Sequence, residues 1–199
     1  MAYATLAEVR DWVGIPVSDT ADDTKLSLAL AAAEEQVNAY TGRHFTVEGS
    51  ASVRYYRALT GSVVEVDPIA TTTDLAVALD RDGDGTFEET LTLDTHYRFA
   101  PYNAAVAGAP WSQLVALTGT TFPLEDRRIK VTGRFGYATV PSSVKQATLI
   151  QAAFIWKRKD AVFGVAGSPE FGNELRVESA LDRTAISLLR PFRKVWAVA

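Results

Sequence analysis

Residues 22–45 read DDTKLSLALAAAEEQVNAYTGRHF. Leu26, Leu30, Ala33, Val37 and Tyr40 recur at spacings of four, three, four and three, which sets them on one face of a helix. Asp22 or Asp23 can start that helix. Gly42 ends it, because the left-handed residue after a helix is cheapest as glycine. Glu34, Glu35, Gln36 and Asn38 lie mostly off the stripe. A helix with one apolar face owes most of its stability to packing, so this one must lie against other parts of the chain.

Working outward, Thr5 and Glu8 form a capping box ahead of Leu6, Val9 and Val13, and Gly14 closes a short first helix. Pro16 and Ser18-Asp19-Thr20 make the turn into the second. From about residue 50 the apolar period changes from 3.6 to 2. Val53 and Tyr55 alternate with Arg54 and Tyr56, Leu75, Val77 and Leu79 with alanines, and Ile129, Val131 and Phe135 with Lys130, Thr132 and Arg134. Each pattern predicts a half-buried strand. Thr60-Gly61, Asp67-Pro68 and the run from Asp80 to Gly85 read as turns. Ala100 to Asp126 reads mostly as long loops, with one strand around Leu114 to Leu117.

Helix returns near Pro141, a residue suited to a first turn. Val144, Ala147, Leu149, Ile150 and Ala152 to Trp156 make it apolar almost all round, as in a bundle core or an interface. Lys157-Arg158-Lys159 complement its carbonyl end. Phe163 to Gly172 reads as a flexible glycine-rich loop. Asp182 caps a last short helix carrying Ala185, Ile186, Leu188 and Leu189, stopped by Pro191. Trp12 and Trp156 are expected in helix cores, and Trp111 and Trp196 in more exposed positions. The predicted class is therefore α+β: a small helical bundle from residues 1–48 and 138–199, with an inserted antiparallel β unit over 49–137.

The chain has 199 residues, 47% hydrophobic and 22% charged, which is enough for one sizeable core or two small ones. It carries 20 basic and 24 acidic side chains, a net charge of −4, which argues against a globally basic nucleic-acid binder. The charge is uneven: residues 141–199 hold nine Lys/Arg against five Asp/Glu, a balance of +4, and the rest has −8. A basic C-terminal part on an acidic body suits an acidic partner surface or head-to-tail self-association, or simply caps helix ends and faces water. No cysteine is present, so disulfides, thiolate catalysis and cysteine-held metals are excluded. No apolar run approaches a membrane span, and MAYATLAEVR lacks a targeting pattern, so no membrane partner and a cytosolic or packaged location are expected.

The sharpest local motif is Asp80-x-Asp82-x-Asp84-Gly85, the first half of a calcium loop. The second half fails, because its twelfth position is Leu91, which offers no bidentate carboxylate. A β-hairpin turn accounts for the same residues, with the glycines at positive φ. Asp80, Asp82 and Asp84 are thus metal candidates of the weaker kind, and a calcium-dependent binding module is the alternative functional reading. His44 and His96 stand apart from any nucleophile, and no nucleophile elbow or phosphate-binding loop occurs. The expectation is a chain with no catalytic residues and no cofactor.

Two blocks of sequence are similar to the head–tail connector (neck adaptor) family of tailed bacteriophages. The first runs Leu6-Ala7-Glu8-Val9-Arg10, Trp12-Val13-Gly14-Ile15, Asp22-Asp23, Leu26, then Ala31-Ala32-Ala33-Glu34, Val37, Tyr40-Thr41-Gly42-Arg43 and Phe45. The second is Val140-Pro141 and Val144-Lys145-Gln146-Ala147, ending in Trp156-Lys157-Arg158-Lys159 and Gly164. The resemblance covers the helical parts, and the β insert is longer than in the smallest all-helical members.

The resemblance implies a structural protein of the virion neck, assembled in the host cytoplasm. Its subunits would form a closed ring, usually dodecameric, joined to a portal protein above and a stopper or tail protein below. DNA would pass through the lumen without sequence-specific binding. On that reading Leu26, Leu30, Tyr40, Lys157 and Arg158 are the candidate ring-interface residues. Arg190, Phe192, Arg193, Lys194 and Trp196 are the candidate portal-docking residues, since aromatic and arginine side chains dominate interface energetics.

Overall fold

A computed structural model describes residues 2–158, the backbone of 165–166 and 175–176, and residues 181–194. The chain forms two compact units, Met1–Arg43 with Val140–Ala199, and His44–Thr139.

The first unit is helical. Helix α1 spans Leu6–Val13, and its Thr5–Glu8 capping box is formed, with Gly14 left-handed at the C-terminus. Helix α2 spans Asp23–Thr41 and ends on left-handed Gly42. Helix α3 spans Ser142–Arg158. The α1–α2 turn is held by buried Arg10, which donates to Val17 O at 2.9 Å and pairs with Asp23. Leu26, Leu30 and Ala33 of α2 meet Leu149 and Ala152 of α3, with Ala4 and Val9 of the α1 region, in one core. Alanine at Ala33 and Ala152, both fully buried, lets the backbones come close. Each fully buried Leu or Val contributes about 1.5–3 kcal/mol by leaving water.

One buried polar group spans this unit. Gln151 donates from Nε2 to Gln36 Oε1 at 2.7 Å and accepts at Oε1 from the Asp182 N–H at 2.9 Å. The Asp182 side chain in turn accepts from Thr184 N and Ala185 N, capping α4, Arg183–Leu189. Pro191 lies in a 3-10 turn, Arg190–Phe192, that closes the helix. Val165–Ala166 (β8), inside the stretch expected to be a flexible loop, pairs antiparallel with Leu175–Arg176 (β9), which lies beyond it. The rest of Phe163–Gly172 lies outside the described residues.

The second unit holds two antiparallel sheets around one core, so the α+β class holds. Its strands are β1 Ser52–Tyr56, β2 Val63–Ile69, β3 Ala76–Leu79, β4 Glu89–Leu91, β5 Tyr97–Ala100, β6 Trp111–Ala116 and β7 Ile129–Gly133. The sheet orders are β1-β7-β3-β4 and β2-β6-β5. Val77, Leu79, Ile129 and Val131 of one sheet share the core with Val64, Ile69, Tyr97, Phe99 and Leu114 of the other.

Three expectations are corrected here. Asp67-Pro68 is not a turn: both residues lie in β2, where the pairing to β6 slips between Glu65 and Ile69. An irregular stretch needs no ladder donor, which is where proline fits in a strand. The phase of β1 is also inverted. Val53 and Tyr55 face outward, while Arg54 and Tyr56 are half-buried. Arg54 pays for that position with ion pairs to Glu48 at 2.5 Å and Asp67 at 2.7 Å, and stacks 4.0 Å above the Phe135 ring. Third, the strand expected around Leu114 to Leu117 is present but starts earlier, as β6, Trp111–Ala116.

The unit begins at His44 rather than near residue 49. Phe45 packs on Tyr137 with ring centroids 5.0 Å apart, and Glu48 accepts from Phe135 N. Gly136 is required between them: at its φ of 126° a Cβ would sit 2.0 Å from Thr46 O.

Replacing Gln151 by leucine leaves the Asp182 N–H and the Gln36 carbonyl unpaired, and is expected to cost about 1–3 kcal/mol. Urea unfolding followed by helical circular dichroism measures it; an unchanged or raised midpoint would show that the network is not stabilising.

Candidate functional site

The Asp80–Gly85 segment is the connection of a β3–β4 hairpin. Asp80, only 3% exposed, accepts from Gly83 N at 2.5 Å, from Gly85 N at 3.1 Å and from Arg128 Nη1 at 3.1 Å. Asp82 and Asp84 turn the backbone by accepting from Asp84 N and Thr86 N. Gly83 has φ 88° and lies so close to Arg128 that a Cβ would meet its guanidinium at 2.1 Å. Oxygens of Asp80, Asp82 and Asp84 come within 4.8 Å of one another. The guanidinium of Arg128 nevertheless pairs with the buried carboxylate, and two of the loop's own N–H groups donate to it. These contacts hold the turn. Burial pushes the Asp80 carboxyl up, but the Gly83 and Gly85 N–H groups and Arg128 outweigh it and hold the acid below its ordinary range.

Beside this loop, Tyr55 and Phe87 stand 5.6 Å apart on the outward side of the sheet. Arg127 lies over the Tyr55 ring at 5.0 Å and Lys130 over Phe87 at 4.9 Å. Cations and Asp80 to Asp84 interleave here, so the patch presents no single-sign field for a phosphate backbone.

The helical unit offers a different surface. Lys25, Leu28, Ala29 and Ala32 of α2 and Ile155 and Trp156 of α3 line an apolar groove of about 350 Å³. Leu28 is 71% exposed. On α1 and the turn after it, Trp12 is 47% exposed and Val17 77%. Trp12 is therefore not a core residue, in contrast to the sequence expectation. Trp156 is half-buried, and Trp111 stacks on Phe99 at 4.8 Å rather than standing exposed.

The candidate ring residues divide. Leu26 and Leu30, at 1% and 7% exposure, belong to the unit's own core and are unavailable to a neighbour. The stripe that identified them is the face the helix buries; what remains for a partner lies off it, at Leu28. Tyr40 is half-buried, with the Arg193 guanidinium 5.7 Å from its ring. Lys157 and Arg158 are exposed at the end of α3.

The candidate portal-docking segment is anchored on its own bundle over the residues described. Lys194 donates its N–H to Thr41 O at 2.8 Å, capping the C-terminal end of α2, and Phe192 is half-buried. Arg190 and Arg193 remain exposed. Trp196 lies outside the described residues. Leu28 and Trp12 were missed by periodicity. The signal present was the alternation Leu26-Ser27-Leu28-Ala29-Leu30, which puts one leucine on the wrong side of an otherwise regular stripe. Among the described residues no helix is long and apolar enough to cross a membrane.

No protein-family model and no curated protein sequence matches the chain. Solved structures share its fold along almost its whole length, three of them as follows. A chain in the neck of an empty gene transfer agent (GTA) particle, computed with C6 symmetry, superposes with a TM-score of 0.58 at 21% identity, over 98% of this chain and 92% of that one. A chain in the virion of a native gene transfer agent particle gives 0.56 at 20% identity, over 98% and 92%. A chain in the neck of a native GTA particle, computed with C12 symmetry, gives 0.52 at 21% identity, over 97% and 90%.

Thermal unfolding is expected to be indifferent to millimolar calcium and sensitive to acid. Burial also raises the Glu48 carboxyl, but hydrogen bonds from Ser52 and Arg54 overcome it and leave it low. Groups with depressed folded values stabilise fully above their unfolded values, about 3.9 for Asp and 4.3 for Glu, and lose that contribution as pH falls through the lower folded ones. The midpoint should therefore drop steeply below about pH 4. A calcium-induced rise that vanishes in Asp82→Ala would instead restore a bound cation.

Proposed function

We propose that this chain is a structural subunit of the neck of a tailed, phage-like particle. It acts as an adaptor ring between head and tail. The observation that carries the reading is the shared fold with neck chains over 97–98% of this chain, helical unit and β insert together. Symmetries of C6 and C12 in the particles of those chains accord with a ring, dodecameric in the reading offered here. Rings are built by one heterologous contact repeated until it closes, which requires two complementary patches on each copy.

The ring is joined above to a portal protein and below to a stopper or tail protein, and DNA passes through its lumen. A net charge of −4 suits such a conduit, because a wall that neutralised phosphates would retain the DNA. The role is structural rather than catalytic. Asp80, the most deeply buried carboxylate of the hairpin loop, is consumed by Arg128 and by backbone N–H groups. Docking on the portal is assigned to the exposed cations of the C-terminal segment, Arg190 and Arg193, with Phe192 and Lys194, and with Trp196, which lies outside the described residues, as a further candidate.

Electron microscopy of the chain mixed with the portal of its own particle is expected to reveal an added ring layer on one face. Arg190→Glu with Arg193→Glu should weaken that association about tenfold or more while the fold is kept, since both side chains are exposed. An unchanged affinity removes the segment from docking, and failure of the wild-type chain to add a layer contradicts the adaptor role.

A further inference from the structure

We infer that the ring contact is a knob in a groove: Trp12 and Val17 of one copy fill the α2–α3 groove of the next. The inference rests on the ring reading above and names the surfaces that close it.

Both halves of the contact are present on the helical unit. The groove, about 350 Å³, is floored by Ala29 and Ala32 and walled by Leu28, Ile155 and Trp156. That volume lies at the small end for ligand pockets and suits one large side chain. No residue of α1 or of the turn after it lines the groove, so the chain does not fill it with its own knob. Trp12 and Val17 stand out at 47% and 77% exposure. Trp12 is the kind of rigid aromatic that serves as an interface anchor, with much apolar area and few rotamers to lose.

The surrounding charges are of opposite sign. Lys157 and Arg158 follow Trp156 directly and are exposed, whereas Lys25, which also lines the groove, is paired with Asp22 at 2.8 Å. Asp11 precedes Trp12, and Asp19 follows two residues after Val17; both are exposed. An acid-flanked knob meeting a base-flanked groove fixes direction: knob-to-knob and groove-to-groove contacts set like charges together. Direction of this kind is what a heterologous, closing contact demands.

The absence of cysteine makes the test clean. Full-length Val17→Cys and Leu28→Cys variants, each exposed, are purified, mixed and oxidised. The expected product is a disulfide-linked heterodimer of the two variants, in excess of either homodimer. Light scattering should give about tenfold weaker self-association for Trp12→Ala, and likewise for Leu28→Glu, with unchanged circular dichroism. Closed rings that persist in Trp12→Ala and yield no mixed crosslink would overturn the knob-and-groove contact and leave the ring reading standing. Homodimeric Val17→Cys crosslinks as the main product would overturn the direction. A wild-type chain that remains monomeric at every concentration, with no crosslink, would overturn contact and ring reading together.

Discussion

The helical unit depends on the pairing of α2 with α3, two helices separated by some hundred residues of sequence (Thr41 to Ser142). Neither has enough apolar surface to stand alone in water. Leu26, Leu30 and Ala33 find Leu149 and Ala152, and in doing so they bring the beginning and the end of the chain into one core. Gln151 then makes the pairing specific. Its amide reaches Gln36 on α2 through one end and the cap residue of α4 through the other, so three elements share one buried group. A misregistered pairing would strand both of its partners.

The β unit follows a second constraint, the need to neutralise charge that the strand pattern turns inward. Arg54 is half-buried because Glu48 and Asp67 flank it and Phe135 lies beneath it. Asp80 is buried because Arg128 and two N–H groups donate to it. These arrangements pair the charges that the strand pattern and the hairpin turn bury. Exposed apolar side chains stand on both units: Trp12, Val17 and Leu28 on the helical one, and Leu59, Tyr102, Val106 and Leu124 on the β unit.

Much of this was legible in the residues. Capping chemistry located α1, α2 and α4 because Thr5-x-x-Glu8, Gly42 and Asp182 each satisfy a specific orphan group. The change of period from 3.6 to 2 announced the insert. What the sequence could not convey was which side of a pattern faces inward. In β1 the aliphatic and aromatic pair Val53 and Tyr55 looked like the core set, yet Arg54 and Tyr56 take that side, because their partners come from distant segments. Pro68 misled for a similar reason: a proline inside a strand is tolerated on a sheet edge or where pairing slips, and both are tertiary facts. The candidate site suffered most. Periodicity finds the face a helix buries, so it selected Leu26 and Leu30, whereas an interface uses the residues left outside.

Native-state hydrogen exchange tests the account at its root. If the two ends of the chain form one cooperative core, the slowest amides of α2 and α3 will share a single opening free energy, and Leu26→Ala will lower both by the same amount. Protection of α2 that survives while α3 exchanges freely would mean that the helices are independent, and the surface proposed to close the ring would not exist as a fixed shape.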